Sequence, residues 1–205
     1  MKMSEQLKRI SDKLKKLRKL DRQLAVFGAR RHKYRLNKTK TEKELVEFEH
    51  IHQIKLPEEY RAFLTHIGNG GAGPYYGLET LEDGCFSDLD YKDSNDLVDL
   101  SKPFSHTKYW NIDFGKISKD EYDQKEEEYY DNKWVNGLLR ISNFGCGVNI
   151  NLVVNGAEYG NIWVDDRCND QGIYPDPYFK TNGRVTFLEW YELWLNQALA
   201  GSHYP

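Results

Sequence analysis

Residues 138–166 read LLRISNFGCGVNINLVVNGAEYGNIWVDD, and this stretch decides the fold. Val148, Ile150, Leu152 and Val154 alternate with Asn149, Asn151 and Val153, and this period of two predicts a β-strand. Gly145-Cys146-Gly147 predicts a turn before that strand, and residues 155–160 predict a loop after it. Residues 161–166 return as another strand, so an antiparallel hairpin is the simplest prediction. An earlier strand is expected to hold Leu139, Ile141 and Asn143 on one side, and Arg140 and Ser142 on the other.

A hairpin alone is marginally stable in water, so other parts of the chain must cover one of its faces. Three helix starts supply candidates. Thr41 with Glu44, and Thr186 with Glu189, have the spacing of capping boxes, and Pro57 precedes two acidic residues. We expect helices over about residues 42–53, from residue 57 to 67, and from residue 186 to about 200. Their buried residues should be Leu45, Phe48, Ile51 and His52, then Tyr60, Phe63, Leu64 and Ile67, and finally Leu188, Tyr191, Trp194, Leu195 and Ala198.

The charge is distributed unevenly along the chain. Residues 1–43 carry 16 Lys and Arg against 4 Asp and Glu, a net charge of +12, whereas residues 44–205 carry 13 against 28, a net charge of −15. Between Leu7 and Leu24, apolar residues recur every three or four positions among the basic ones, which predicts a basic amphipathic helix. We expect residues 1–40 to form a basic helical extension and linker, and residues 41–205 to form the main domain.

The apolar side of this basic helix is expected to pack on the main domain or on a second copy of itself. Contact with nucleic acid or an anionic membrane is the alternative for its basic side. Only Phe27 and Tyr34 lie near the basic residues, so base stacking has little to work with and nucleic acid is not expected as a partner. Pairing of the basic extension with the acidic body of another copy stays open.

Residues 79–131 form a second, acidic region, with 16 acidic and 6 basic residues. Its periodicity is weak and predicts a partly helical insertion, at about residues 79–136, between a first strand, into which residues 74–78 lead, and the hairpin. Helices are expected near Asp93–Leu100 and Lys119–Asp131. Negative charge steers a basic partner toward the surface, and aromatic residues among charges are typical of interfaces. The predicted partner-binding residues are Asp88, Asp90, Tyr91, Asp93, Asp96, Trp110, Glu126, Glu127 and Tyr130.

Catalytic and metal chemistry find little support in the sequence. Cys85, Cys146 and Cys168 show no Cys-x-x-Cys spacing, so neither a disulfide framework nor a zinc site is predicted. Cys146 could act as a nucleophile with His106 or His66 as its base, but the flanking glycines favour a turn. His50 and His52 would point to nearly opposite sides of a helix. Four loop carboxylates could bind a hard cation: Asp165, Asp166, Asp170 and Asp176. Aspartates in loops more often serve turns and solubility.

We therefore predict no enzymatic activity, no metal and no cofactor. The chain has no run of about 18 apolar residues and no apolar core of a secretion signal near residue 1, so no membrane partner and a cytoplasmic location are expected. The predicted fold class is α+β: a single antiparallel sheet of about five or six strands packed by helices, with an extra N-terminal basic amphipathic helix.

Six groups of residues occur in a characteristic order between residues 42 and 199. They are Leu56-Pro57 with Tyr60, Phe63 and Leu64; Asn69-Gly70-Gly71; Tyr76-Gly77-Leu78; Gly145-Cys146-Gly147; Gly156 to Gly160 with Ile162-Trp163; and Phe187 to Trp190 with Trp194-Leu195. In this order and spacing the chain resembles the SUKH superfamily, which includes yeast cell-wall synthesis regulators and many bacterial immunity proteins. The resemblance implies an α+β domain with one antiparallel sheet, and a protein that acts by binding a partner. The basic N-terminal helix and the acidic insertion depart from the short family pattern.

The resemblance implies an immunity protein that binds and neutralises a cognate bacterial toxin, of the nuclease type found in polymorphic toxin systems, by stoichiometric occlusion. The alternative is a cellular regulatory or scaffold protein of the same fold. That protein would self-associate, or bind nucleic acid, through the basic N-terminal helix. The neighbouring reading frame would separate the two, because an immunity gene ordinarily sits beside a large toxin gene.

Overall fold

The sheet is an antiparallel meander of four strands in chain order. The computed structural model describes residues 3–87, 97–116, 118–179 and 183–202. Cys146 and Gly147 join the first two strands with positive φ values of 50° and 78°, the signs that a type I′ turn requires. The predicted hairpin is confirmed by the antiparallel pairing of residues 148–153 with residues 162–165. The strands are β1 (Leu138–Gly145), β2 (Val148–Val153), β3 (Ile162–Asp165) and β4 (Ile173–Pro175).

The prediction of five or six strands was wrong for the described part of the chain, which forms four. The segment expected to hold the first strand makes only isolated bridges, in which Leu78 pairs with Gly71 and with Ser142. Tyr75 has a φ of 55° and Gly77 a φ of 100°. The backbone therefore leaves the extended region twice within three residues, and a continuous ladder cannot form. The α+β class and the single antiparallel sheet are confirmed.

A bulge in β1 corrects the alternation expected for that strand. The register shifts between Arg140 and Ser142, so that Leu139 and Ser142 both lie opposite apolar residues of β2. Because residues opposite each other share a face, the extra residue moves Ser142 away from the face of Arg140. The Ser142 hydroxyl is buried there and donates to two backbone oxygens within residues 74–77, at 3.1 and 2.8 Å.

The helices share one hydrophobic core with the sheet, and local sequence signals set most of their ends. Thr41 and Glu44 form the predicted capping box. Thr186 precedes the last helix as predicted, but its side chain makes no capping bond. The amide of Leu188 instead donates to the Glu59 carboxylate at 3.0 Å, so a neighbouring helix supplies the acceptor. The helices are α1 (Met3–Leu20), α2 (Ala29–His32), α3 (Glu42–His52), α4 (Glu58–His66), α5 (Lys119–Tyr130) and α6 (Phe187–Leu199).

Within α3 the expectation for Ile51 was wrong, since this side chain is 65% exposed, and Glu49 is buried instead. Glu49 is held by the amide of Leu56 at 3.0 Å and by Arg61 at 2.8 Å. The predicted helix near Lys119–Asp131 is α5. The one near Asp93–Leu100 falls mostly outside the described residues, and residues 97–100 are not helical.

The N-terminal basic helix packs within its own chain. Its four buried apolar residues, Leu7, Ile10, Leu14 and Leu17, lie on the side that contacts α6. Glu192 of α6 accepts from Arg9 at 3.0 Å and from Lys13 at 2.6 Å. The expected seam extends to Leu24, but that residue lies beyond the helix with a φ of 55°. The apolar stripe is thus covered by the main body, and self-association through this helix stays a prediction that would use its outward side.

The linker expected toward the end of residues 1–40 contains α2 and makes ordered contacts. The Tyr34 hydroxyl donates to Asp21 at 2.6 Å, and the backbone oxygen of Arg35 accepts from the amide of Ala72 at 2.7 Å. Burial lowers the pKa of His32 to about 4, so this side chain is neutral near pH 7. The division of the chain at residue 40 stays a prediction.

Candidate functional site

Helix α5 presents an acidic surface. Its twelve residues include six carboxylates and two lysines, and every one of the carboxylates is exposed. The helix begins at a capping box, in which the Ser118 amide donates to Glu121 at 2.9 Å while the Ser118 hydroxyl accepts from the Glu121 amide. The partner-binding residues predicted on this helix, Glu126 and Glu127, lie exposed on it.

A buried arginine from the turn after β3 holds the C-terminal end of α5. Arg167 Nη1 donates to the backbone oxygens of Tyr129 at 2.8 Å and Asp131 at 3.3 Å, where a helix end leaves acceptors unpaired. Its Nε and Nη2 each donate to an oxygen of Asp165 at 2.8 Å. Arg167 is only 6% exposed, so this bidentate pair compensates its charge in place of water. One guanidinium therefore fixes the acidic helix to the sheet.

Aromatic side chains pack against the buried side of α5. The buried Tyr129 hydroxyl donates to Asn111 Oδ1 at 2.7 Å and accepts from the Gly172 amide at 3.0 Å. The Trp110 ring centroid lies 5.7 Å from that of Tyr129 and 4.5 Å from that of Trp134. Trp110, another predicted partner-binding residue, is half-buried. Its ring therefore also has a structural role, because it packs between the sheet and the acidic helix.

A hollow of about 180 Å³ lies beside the end of α5. Arg140, Asn149 and Asn151 of the sheet line it, and Tyr130 of α5 contributes to the other side. Tyr130 is 47% exposed, and its hydroxyl donates to the backbone oxygen of Arg167 at 3.1 Å. This predicted partner-binding residue thus belongs both to the acidic surface and to the hollow.

Arg140 is the second buried guanidinium of this region, with 5% of its surface exposed. Its Nε donates to Glu79 at 2.7 Å and its Nη1 to the backbone oxygen of Ser87 at 2.8 Å. Burial raises the pKa of the Glu79 carboxyl, although the charge of Arg140 opposes that rise. In the described part of the chain Arg140 Nη2 is buried with no acceptor. The sheet face at the hollow is therefore polar and built from paired charges.

The predicted partner-binding residues fall into two sets. Glu126, Glu127 and Tyr130 lie together on α5, with Trp110 beneath them. Their contact with a partner stays a prediction. The remaining predicted residues, Asp88, Asp90, Tyr91, Asp93 and Asp96, lie outside the described residues.

The sequence did not predict the buried ion pairs that hold this region together, which are Arg167 with Asp165 and Arg140 with Glu79. One signal was available. Arg140 stands between apolar residues within a strand, and a charge in such a position is buried only when it is paired. The spacing of Asp165 and Arg167, two residues apart at the end of a strand, suggests the pair only once the turn is known.

The residues considered for catalysis do not assemble into a site. Burial raises the pKa of Cys85 to about 12 and that of Cys168 to about 11, so both thiols stay protonated at neutral pH. Cys146 lies in the hairpin turn, and no hydrogen bond joins it to a histidine among the described residues; its backbone oxygen accepts from the Cys168 thiol at 3.1 Å. His66 instead contacts Thr65, and His106 stacks on Trp110.

The loop carboxylates considered for a cation have protein partners. Asp166 accepts from the Tyr174 hydroxyl at 2.8 Å, and Asp176 accepts from Trp190 Nε1 at 3.1 Å. Over the described ranges, no group of three or more His, Cys, Asp or Glu side chains is placed to hold a metal ion. Those ranges also contain no helix with the length and apolar character needed to cross a membrane.

Comparison with known proteins gives one match. A sequence model of the SMI1 / KNR4 family (SUKH-1) matches residues 40–183, which include α3, α4, α5 and all four strands. Searches of curated proteins and of solved structures found no match.

Proposed function

The chain belongs to the SMI1 / KNR4 family (SUKH-1), and we propose that it is an immunity protein that binds a cognate bacterial toxin and neutralises it by stoichiometric occlusion. The toxin would be of the nuclease type, and the complex would form without turnover. The family supports a partner-binding role, and the specific toxin is part of the proposal. Among the described residues, Glu126, Glu127 and Tyr130 on α5 would carry the contact.

The single observation that carries the proposal is the exposed acidic surface of α5, whose C-terminal end is fixed to the sheet by Arg167. Six carboxylates project from twelve residues, and Arg167 fixes the helix end through its pair with Asp165. A surface of this sign speeds encounter with a basic partner. A nuclease must present a positive cleft to the phosphates of its substrate. Carboxylates held in fixed positions would occupy such a cleft and exclude nucleic acid from it.

Exposed aromatic residues would contribute much of the affinity. Tyr122 and Tyr130 are exposed on α5 next to the carboxylates. Tyrosine side chains bury a large area at low entropic cost and are enriched among the residues that dominate binding energy. The charges would set the association rate and its dependence on salt, while the tyrosines would mainly set the rate of dissociation.

The test uses the toxin encoded by the neighbouring reading frame and measures association rates from low to high ionic strength. The Glu126→Gln/Glu127→Gln variant should associate more slowly at low salt and show a shallower salt slope. The control variant, Glu47→Gln/Glu189→Gln, removes the same charge from exposed positions outside α5 and should change the slope less. An unchanged rate and slope in the first variant, or equal changes in both, would refute steering by α5. A variant with Asp88, Asp90, Asp93 and Asp96 changed to Asn tests the rest of the acidic insertion in the same way.

The second candidate is a regulatory or scaffold protein that self-associates or binds nucleic acid through α1, and the outward basic residues of that helix favour it. Deleting residues 1–40 would uncover the apolar side of α6 and confuse the result. The better variant reverses exposed charges such as Lys16 and Lys19, which lie away from the packed stripe. Light scattering and duplex DNA binding across salt concentrations then separate this role from toxin binding.

A further inference from the structure

A groove runs along α1 on a side that is not covered by α6. Two adjoining hollows of about 550 and 470 Å³ form it, and both are lined by Ser11 and Lys15 of α1 and by His66 and Ile67 at the end of α4. The lining extends along α1 from Met3 to Arg18. At a rise of 1.5 Å per residue the groove is about 22 Å long, which is about four helical turns.

The floor and the rim of this groove differ in chemistry. Its floor includes the partly buried apolar side chains of Met3, Leu36, Ala62 and Ile67. Its charged lining residues are four basic ones and one acidic one: Lys8, Lys15, Arg18, Arg35 and Asp12. An apolar floor with a positive rim is complementary to a segment that is apolar on one side and negatively charged at its edges.

The basic residues of the rim are available to a partner, because the described part of the main body forms no ion pairs with them. Arg9 and Lys13, on the other flank of α1, are both paired with Glu192. At the rim, the one ion pair in the described structure joins Lys15 to Asp12 at 3.9 Å, between two exposed side chains, and such pairs contribute little. The leucine stripe of α1 is buried. The parts of this helix that a partner can contact are therefore its basic rim and the groove beside it.

We propose that this groove docks an acidic amphipathic helix of a second protein. Apolar residues at i, i+3 or i+4 and i+7 of that helix would contact the floor, and its carboxylates would pair with Lys8, Lys15, Arg18 and Arg35. The groove shares no lining residue with the hollow beside α5. A helix docked in the groove would thus leave the proposed toxin-binding surface on α5 free. Binding in the groove would not depend on the toxin.

Nucleic acid and membranes fit the groove less well than an acidic helix. Bases stack mainly on exposed Phe, Tyr or Trp rings, and the one such ring that lines the groove among the described residues, Tyr34, is buried. The exposed ring at the groove is the smaller imidazole of His66. Binding to a membrane surface by α1 needs a projecting apolar side, but that side of the helix is packed on the body. A concave apolar floor instead suits a side chain that projects from a partner.

The experiment uses the full chain and a labelled helical peptide of about 16 residues, with leucines at i, i+3, i+4 and i+7 and glutamates elsewhere. Fluorescence anisotropy should show saturable binding that weakens with salt, and the Lys15→Glu/Arg18→Glu variant should lose about tenfold in affinity. The matched control, Lys16→Glu/Lys19→Glu, reverses exposed charges of the same helix outside the groove lining and should lose less than about twofold.

Two further measurements locate the contact. A peptide of the same composition with scrambled order should bind much more weakly, and methyl resonances of Met3, Ala62 and Ile67 should shift with the amphipathic peptide. The proposal is overturned by no binding of the amphipathic peptide, by equal binding of the scrambled one, by equal losses in the two variants, or by unshifted groove methyls. Tighter binding of duplex DNA or anionic vesicles, with the same loss in the Lys15→Glu/Arg18→Glu variant, would overturn it too.

Discussion

Replacing Arg167 should destabilise the protein more than any change on its exposed surface. In Arg167→Gln the carboxylate of Asp165 loses two hydrogen bonds of 2.8 Å, and the backbone oxygens of Tyr129 and Asp131 lose the guanidinium that caps α5. Arg167 and Asp165 are both buried. The substitution therefore leaves a buried negative charge with no cation next to it.

The expected cost follows from that uncompensated charge. Removing one member of a buried ion pair costs about 3 to 5 kcal/mol, a large part of the roughly 5 to 15 kcal/mol that stabilises a typical domain. For a chain of 205 residues the midpoint of thermal unfolding should fall by about 6 to 20 °C. The double variant Asp165→Asn/Arg167→Gln should recover part of the loss, because neither charge is then left unpaired.

Urea unfolding followed by tryptophan fluorescence measures the free energy of unfolding of these variants. Lys133→Gln is the control: this side chain is 43% exposed and pairs with Glu128 and Asp131, so its removal should cost less than about 1 kcal/mol. Hydrogen exchange should show that amides of α5 lose protection in Arg167→Gln before those of the sheet. A loss below about 1 kcal/mol, or a double variant less stable than the single one, would refute the role assigned to Arg167.

Five other substitutions test separate parts of the structure. Burial raises the pKa of Asp176 to about 6, whereas the same carboxyl in the unfolded chain titrates at about 4. The free energy of unfolding should therefore fall by about 3 kcal/mol as the pH rises from about 4 to about 6. In urea titrations, Asp176→Asn should remove that part of the fall. Ser118→Ala should cost about 1 kcal/mol through loss of the α5 cap, as should Thr41→Ala for α3, while helical circular dichroism shows whether only the ends fray. Gly172→Ala should cost at least about 2 kcal/mol by thermal unfolding, since its φ is 77° and a β-carbon would lie 2.0 Å from a backbone oxygen. Gly160→Ala, with a φ of 87° and open space around it, should cost only the backbone strain, and equal costs for the two would contradict the close approach.

Elements with a local cause could be predicted from the sequence. The capping box of Thr41 sets the start of α3, and the turn at Cys146 and Gly147 joins β1 to β2, because each depends on residues that are close along the chain. The prediction of a strand that begins near residue 78 was wrong for a different reason. Its apolar pattern is compatible with a strand, but positive φ values at Tyr75 and Gly77 depend on the contacts around them.

The candidate site was predictable only in part. The negative charge of the insertion and the helix that carries Glu126 and Glu127 follow from composition and capping. That Trp110 is packed beneath this helix could not be predicted, because its neighbours in space come from residues 106, 129 and 134. An aromatic residue among charges has the same appearance in a sequence whether it supports a surface or forms one.

The sequence by itself determined the class of the fold, the ends of most helices, the hairpin and the division of charge between a basic extension and an acidic body. These properties depend on periodicity, caps and composition, which act over a few residues. Only the tertiary structure decided which charges are buried and paired: Arg167 with Asp165, Arg140 with Glu79, and Glu192 with Arg9 and Lys13. It also placed the leucine stripe of α1 on α6 and opened a groove beside it. The physical reason is that desolvation and pairing depend on distances between residues far apart along the chain, which no local pattern encodes.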